Sequence, residues 1–282
     1  MTAEKPLLQL INEHLVTGLQ DLPVFNNVAV KLQQLLATRS FEIDDVIELI
    51  SEDQSLSSRV LKVANSSYYS GLSKIATIKD AIIRLGAQEI ANMAMLASQF
   101  DFYQSPNETL NKLMHDLWGH ALATAVGAKW LVRKSGYPAM SSEAFMGGLM
   151  HDIGKLALLK VLDDIMKNKE SSAHFSEQLI FEIMETMHEE VGYNLMKSWN
   201  FPDFYCDIAK SHHGNEYDQS NILLVAVRLS DLACKKAGRA MCPPMPEISI
   251  ATAQEAHLLG LKEIALAELE IVIEDADSIV TG

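Results

Sequence analysis

The chain has 282 residues and a net charge of -14, with 48% hydrophobic residues, only 7% aromatics and 13 Met. That is enough apolar mass for a large core, and the profile favours helices packed through Leu, Ile, Ala and Met over a β-sandwich. The acidic balance argues against nucleic acid or an anionic membrane surface as partner, because Lys and Arg are scattered and the densest cluster is only Lys235-Lys236 with Arg239.

The first residues, Met1-Thr2-Ala3-Glu4-Lys5, do not form a basic signal region. The longest apolar runs, such as Ile222 to Val227, are far too short to span a bilayer. Cys206, Cys234 and Cys242 are odd in number and show no Cys-x-x-Cys spacing, which reads as reduced thiols in a cytoplasmic protein.

Along the chain nearly every segment has helical period. Ile43, Val46, Ile47 and Ile50 sit at i, i+3, i+4 and i+7, and Ile78, Ala81, Ile82 and Leu85 repeat the pattern. Thr77 is placed to cap that second helix and Gly86 to close it. Another helix is predicted over 87–100. Asn65-Ser66-Ser67 reads as a helix end turned by side-chain-to-backbone bonds. Met93-Ala94-Met95-Leu96 reads as core before it reads as an adaptable partner surface.

Ser105-Pro106-Asn107-Glu108 has the form of a capping box, with Ser105 at N-cap, Pro106 at N1 and Glu108 at N3. The helix it opens is predicted to reach Lys134 before Gly136, and to be shared between two bundles. Ser141 or Ser142 should cap the next helix. A helix starting near Ser176 is expected to break or bend around His188 and to end near Asn200, before Pro202. Pro202 would be N1 of a helix reaching His212-His213, and Ser220 would cap one running through Asp231 to about Ala237. Pro243-Pro244 and Pro246 mark a linker. In the tail, Leu258, Leu261, Ala265, Leu269 and Val272 form one stripe. No strand or internal repeat is evident, and the fold class is all-α.

The residues that carry chemistry are His and Asp. His151-Asp152, in Leu149-Met150-His151-Asp152-Ile153-Gly154-Lys155, places an imidazole beside a hard carboxylate. His120 precedes it; His188, His212, His213 and Asp231 follow. Five imidazoles and two carboxylates suit divalent iron, manganese, nickel or zinc, as one ion or two, and two-metal sites suit phosphoryl displacement. Such ions would also supply the positive charge a phosphate needs on so acidic a chain. Lys155, three residues after Asp152, could meet a substrate phosphate as a point charge or simply pair with Asp152 or a nearby Glu. Glu185 and Glu189 flank His188 as further ligands, supporting partners or solvated charges. His14, His115, His174 and His257 fall outside the pattern and read as surface or locally bonded residues. The helix after Gly86 carries Gln88, Glu89 and Asn92 but no Lys or Arg, which argues against a helix-turn-helix DNA reader.

Several short motifs together resemble a known family. Asp21-Leu22-Pro23, Asp53-Gln54-Ser55-Leu56, Val63-Ala64-Asn65-Ser66-Ser67-Tyr68-Tyr69, the stretch from Ile78 to Gly86 and Asn92-Met93 occur in the order of the HDOD domain, the HD-related output domain of bacterial signalling proteins. The resemblance spans about residues 20 to 240. It implies an all-helical fold in which an N-terminal helical bundle (1–105) packs on an HD-like helical bundle carrying the metal site (106–240), with 241–282 as linker and helical tail. It also implies a regulatory role, in a family whose members mostly lose part of the HD metal site. Here His120, His151-Asp152 and Asp231 match the HD superfamily's His, His-Asp and distant Asp. His188, with Val191-Gly192, and His212-His213 match the further histidines of the HD-GYP phosphodiesterases. The Gly-Tyr-Pro loop is missing, since His212-His213 is followed by Gly214-Asn215-Glu216-Tyr217.

Two readings follow. The first is a cytoplasmic signal-transduction module that keeps an HD-type metal site and answers to a protein partner or a small phosphorylated ligand. The second is a metal-dependent phosphohydrolase with Asp152 bridging two metals, His120, His151 and Asp231 on one, His188, His212 and His213 on the other, and Lys155 steadying the phosphate. A scaffold without any ligand is a weaker third.

Overall fold

The computed structural model describes residues 7–18, 26–38, 40–69, 71, 73–99, 102–167, 175–242 and 244–279. Among them the structure is helical throughout, with no strand, and no helix is long and apolar enough to cross a membrane. Asp21-Leu22-Pro23 and His174 lie outside the described residues.

The first part contains α1 (Leu7–Gly18), α2 (Asn27–Ala37), α3 (Ile43–Ser51), α4 (Gln54–Ala64), α5 (Ile78–Leu85) and α6 (Ala87–Gln99). The sequence signals act here as expected. Thr77 Oγ1 accepts from the Asp80 backbone N–H to start α5, and Gly86 ends it at φ +89°, a conformation open to a residue without Cβ. Asn65 bonds the Leu61 and Ile75 carbonyls and accepts from the Ile75 N–H, holding the turn after α4. Helix α6 packs on α2, α4 and α5 and also on α8 (Ser141–Met150). Every residue from Glu89 to Gln99 is buried, so α6, with its Met93–Met95 stretch in the core, is the element both parts share.

The second part is built on α7 (Glu108–Lys134), 27 residues that cross the fold for about 40 Å at ~1.5 Å per residue. It ends where expected, at Lys134 before Gly136 (φ +90°), but starts two residues later than the capping-box reading. Asn107 is the N-cap, accepting from Leu110, while the Ser105 hydroxyl donates to Asp163 of α9 (Ile153–Lys167) and accepts from the Asn107 N–H. A tertiary bond thus takes Ser105 away from the helix. Helix α7 lies against α8, α9, α12 (Ile222–Lys236) and α14 (Glu263–Glu274). The expectation that α7 is the shared helix is corrected in part, since α6 makes the more extensive link.

Between α9 and α12 come α10 (Glu177–Ser198) and α11 (Asp203–Ser211). Ser176 caps α10 as expected, but the helix passes His188 unbroken. His188 returns a ring hydrogen bond to the Met184 carbonyl one turn back, which keeps the helix regular. Pro202 stands at the N-cap of α11, one position before N1, and Asn221, not Ser220, caps α12. The tail is two helices, α13 (Gln254–Leu258) and α14, separated at Gly260 (φ +64°). Its buried face is Ala265, Leu266, Leu269 and Ile273, so Leu258, Leu261 and Val272 do not share the expected stripe. Helix α14 closes against α7 and α12. Cys206 and Cys234 are buried, Cys242 is partly exposed, and all three are free thiols.

A buried His/Asp cluster as candidate metal centre

Four helices and the turn between two others deliver the seven residues to one place. His120 sits in mid-α7. His151-Asp152 form the turn between α8 and α9. His188 lies on α10, His212-His213 close α11, and Asp231 lies on α12. Close backbone approach makes this possible. A Cβ on Gly154 would stand 2.0 Å from the His188 carbonyl oxygen, and one on Gly148 would stand 2.6 Å from Ala125 Cα. The two glycines let α9 meet α10 and α8 meet α7 closely enough to join the ligands.

The donor orientations follow from bonds at the far ring nitrogen. Nδ1 of His120 faces the Arg239 carbonyl at 2.9 Å, that of His151 faces Gly148 at 2.7 Å, that of His188 faces Met184 at 2.7 Å, and that of His212 faces Ala209 at 3.0 Å. A carbonyl can only accept, so each Nδ1 carries a hydrogen and each Nε2 faces inward, as a lone pair wherever the ring is neutral. These Nε2 atoms converge. His120 and His151 are 3.2 Å apart, and His188 and His212 3.3 Å apart. Facing lone pairs at that distance repel unless a metal ion, or at His120 a proton, lies between them.

Asp152 sits between the two pairs. Its Oδ2 is 3.5 Å from His120 Nε2 and 3.4 Å from His151 Nε2, and its Oδ1 is 3.5 Å from His188 Nε2 and 3.2 Å from His212 Nε2. Asp231 Oδ1 lies 3.3 Å from His120 Nε2. The cluster therefore resolves into His120, His151 and Asp231 on one side and Asp152, His188, His212 and His213 on the other, with one donor atom from each residue within 4.8 Å of the rest of its group. His213 is the least ordered in role. Its Nδ1 is 3.7 Å from Asp231 Oδ2, and its Nε2 is buried without a hydrogen-bond partner. The donor chemistry fits a divalent transition metal: soft-to-borderline imidazoles, hard carboxylates and an apolar surround.

Charge balance is set within the cluster. Burial would raise the Asp152 carboxyl, but Lys155 and the neighbouring imidazoles hold it well below the usual carboxylate range. Burial is likewise overcome at Asp231, by the His120 hydrogen bond and the Lys235 charge. Burial pushes His188 down to about 4, and burial with the nearby Lys235 pushes His213 down to about 2, so both rings are neutral and able to ligate near neutrality. His120 behaves differently: despite burial, Asp231 raises it to about 9. Without a metal it carries the cluster's cation as a proton.

Lys155 is buried and bonds Asp152 Oδ2 at 2.9 Å, with Glu185 at 3.4 Å. Of its two expected roles, the local ion pair is the one formed. Glu189 accepts from the His213 backbone N–H at 3.1 Å, so it supports the turn. His14 bonds the Leu10 carbonyl, while His115 and His257 are exposed. Sequence reasoning missed Arg228. Its guanidinium donates to the Ser211, His212 and Gly214 carbonyls and to Glu255 of α13, and lies 3.8 Å from the Tyr217 ring centroid. It clamps the His212-His213 turn from behind. Its place one turn before Asp231 is the only signal the sequence offers.

An all-helical bundle that gathers a His, a His-Asp pair and a distant Asp has the architecture of the HD superfamily. The chain belongs to the HDOD domain family, whose model matches residues 22–215. It is similar over 98% of both chains to the crystal structure of an HDOD domain protein of unknown function from Geobacter sulfurreducens (TM-score 0.75, 23% identity). A protein from Shewanella amazonensis SB2B, proposed to be a metal-dependent phosphohydrolase, is similar over 95% of this chain and 99% of its own (TM-score 0.65, 19% identity). A proposed signal transduction protein from Marinobacter aquaeolei VT8 covers 99% of this chain with 66% of its own length (TM-score 0.68, 20% identity). At these identities the likeness is one of fold. An uncharacterized protein of Treponema pallidum (strain Nichols) is 22% identical over 202 residues, 69% of this chain and 38% of that protein, so the chain spans well under half of that relative.

Proposed function

We propose that this protein is a cytoplasmic bacterial signal-transduction module of HDOD type that keeps a working HD-type metal site. One observation carries the reading: four imidazoles, each committed at Nδ1 to a backbone carbonyl, aim their Nε2 lone pairs at one buried carboxylate. Hydrogen bonds shared between these helices would need donors on the inner side, and a ring that is neutral has spent its only donor on the outer side; the one inner proton, on His120, is the one a metal would replace. His120, His151 and Asp231 would hold one ion, and His188, His212 and His213 a second, with Asp152 facing both. The metal is iron, manganese, nickel or zinc by donor type.

A regulatory role fits the cover over the cluster. On the Lys155 side the adjoining cavity measures only about 110 Å³ and is lined by Lys155, Glu185, Lys235 and Met241 among others, while the larger cavity that reaches the cluster touches it only at His120. Lys155, the group best placed to take a phosphate oxygen, is occupied by Asp152 and Glu185. The test is metal analysis of protein purified without chelator. One or two equivalents of a transition metal are expected, lost in His151→Ala and Asp152→Ala. Wild-type protein that holds none, and takes up none on titration, would end the reading.

A second reading, a phosphohydrolase acting on a small phosphoester, is favoured by the two-sided use of Asp152. Its separate oxygens address separate imidazole pairs, the arrangement a bridging carboxylate needs. A bound metal pair would supply Lewis acidity for phosphoryl displacement. Lys155 would have to leave Glu185 to bind the phosphate. Turnover near ~1 s⁻¹ or above on a small phosphoester with manganese or iron(II), lost in Asp152→Ala, would establish it. Cyclic-dinucleotide hydrolysis is not expected, as the Gly-Tyr-Pro loop is absent.

A further inference from the structure

Beside His120 lies a second, larger cavity of about 640 Å³, within the range of organic-ligand pockets. It opens between α4, α6, α7 and residues 238–240, so both parts of the fold contribute walls. Among the described lining residues the charged ones are Arg59 and Lys62 of α4, Arg239, and one acid, Asp116. Its apolar lining includes Val63, Leu96 and Trp118. In a chain of net charge -14, three basic residues to one acid among the described lining residues is a local concentration of basic side chains. Residues scattered at 59, 62 and 239 form it, which is why the sequence shows no basic patch. Arginine forks grip phosphate oxygens in pairs, and an aromatic wall beside them accepts a planar ring.

The cavity is also wired to the cluster. The backbone carbonyl of Arg239, whose side chain lines the cavity, accepts the Nδ1 hydrogen of His120 at 2.9 Å, and His120 itself forms part of the wall. A ligand that draws on the Arg239 guanidinium therefore acts on the bond that sets the His120 tautomer and aim.

We propose that this cavity is a binding site for a nucleoside monophosphate, its phosphate on Arg59, Lys62 and Arg239 and its base along Trp118, and that its occupancy is coupled through Arg239 and His120 to metal affinity. The coupling rests on the metal-site reading above; the binding does not. Coupling of this kind is reciprocal, so the metal changes nucleotide affinity by the same factor.

The experiment is calorimetric titration of the full chain with AMP and GMP, as purified and after chelation, alongside adenosine, guanosine and inorganic phosphate. Wild type is expected to bind at least one mononucleotide in the micromolar range, at least tenfold more tightly than its nucleoside or phosphate alone. Arg59→Gln and Arg239→Gln should each weaken binding tenfold or more, whereas chelation should change it only by the coupling factor, without abolishing it. Arg239→Gln keeps the backbone carbonyl, so the His120 bond survives, and circular dichroism confirms that each variant is folded. Saturating nucleotide should shift the metal dissociation constant at least fivefold in wild type and not in Arg239→Gln. No binding of AMP or GMP to folded wild type overturns the site. So does binding that persists in both arginine variants but vanishes on chelation or in Asp152→Asn, which would put the phosphate on the metals. Nucleotide binding without any shift in metal affinity overturns the coupling. Protein that never takes up metal, yet binds nucleotide through Arg59 and Arg239, sinks the metal reading and leaves the cavity site standing.

Discussion

Lys129 offers the sharpest test of how the two parts of the fold are joined. It follows His120 by nine residues on α7, about half a turn round at ~100° per residue, so it leaves the helix on the opposite side from the cluster. Its ammonium is buried and bonds Glu89 of α6 at 2.6 Å, while the rings of Tyr68, Tyr69 and Phe145 surround it with centroids 5.4 to 5.7 Å away. Glu89 also accepts from the Tyr69 hydroxyl and from Ser142 of α8. Lys129→Met keeps the length and removes the charge, stranding a buried carboxylate. Removing one partner of a buried pair costs about 3–5 kcal/mol. The two remaining hydroxyl donors soften this, so a loss of about 3 kcal/mol is expected, or roughly 6–12 °C in Tm for a chain of this size. Lys129→Met with Glu89→Gln removes the stranded charge and should recover at least half of that loss. The assay is thermal and urea unfolding of the three variants and wild type, with metal content measured in each. Metal content should hold in the folded Lys129→Met protein, because the cluster lies on the other face of α7. A Tm within about 2 °C of wild type, or a double variant as unstable as the sum of its parts, would refute the account of an α6–α7 lock.

Other predictions follow from single contacts. Arg228→Ala removes the clamp on three carbonyls at residues 211, 212 and 214, and should weaken metal binding about 10- to 100-fold while the helical circular dichroism signal persists; unchanged affinity would show that the turn holds itself. Gly154→Ala puts a methyl 2.0 Å from the His188 carbonyl, so α9 and α10 must part; a loss of about 3 kcal/mol in urea unfolding and loss of bound metal are expected, and a stable, metal-replete Gly154→Ala would contradict the close-packing argument. Chelated protein should be most stable near pH 6.5. The raised His120 contributes stability that is full below 6.5 and lost as pH climbs to about 9, whereas the depressed His188 and His213 make stability fall as pH drops below 6.5. Metal binding must displace the His120 proton, so affinity should rise up to tenfold per unit as pH approaches 9, and a pH-independent titration would show that His120 is not a ligand.

Local chemistry alone made much of this protein legible. Apolar spacing at 3.6 residues specifies helices wherever they occur, and caps that act on their own chain, Thr77, Ser176 and Gly86 among them, work as read. The seven candidate ligands could be listed because imidazole and carboxylate side chains suit such metals, and the order His120, His151-Asp152, His188, His212-His213, Asp231 is itself a sequence property. Where a residue had two possible partners, only the tertiary structure decided between them. Ser105 left its helix for Asp163, and Lys155 joined Asp152 and Glu185. His188 stayed inside a continuous helix by bonding Met184. The Arg228 clamp, the division of Asp152 between two imidazole pairs, and the basic cavity formed by Arg59, Lys62 and Arg239 depend on distances between residues far apart in the chain. No spacing rule reaches that far: helical period fixes which face a side chain occupies, and only packing fixes what that face meets.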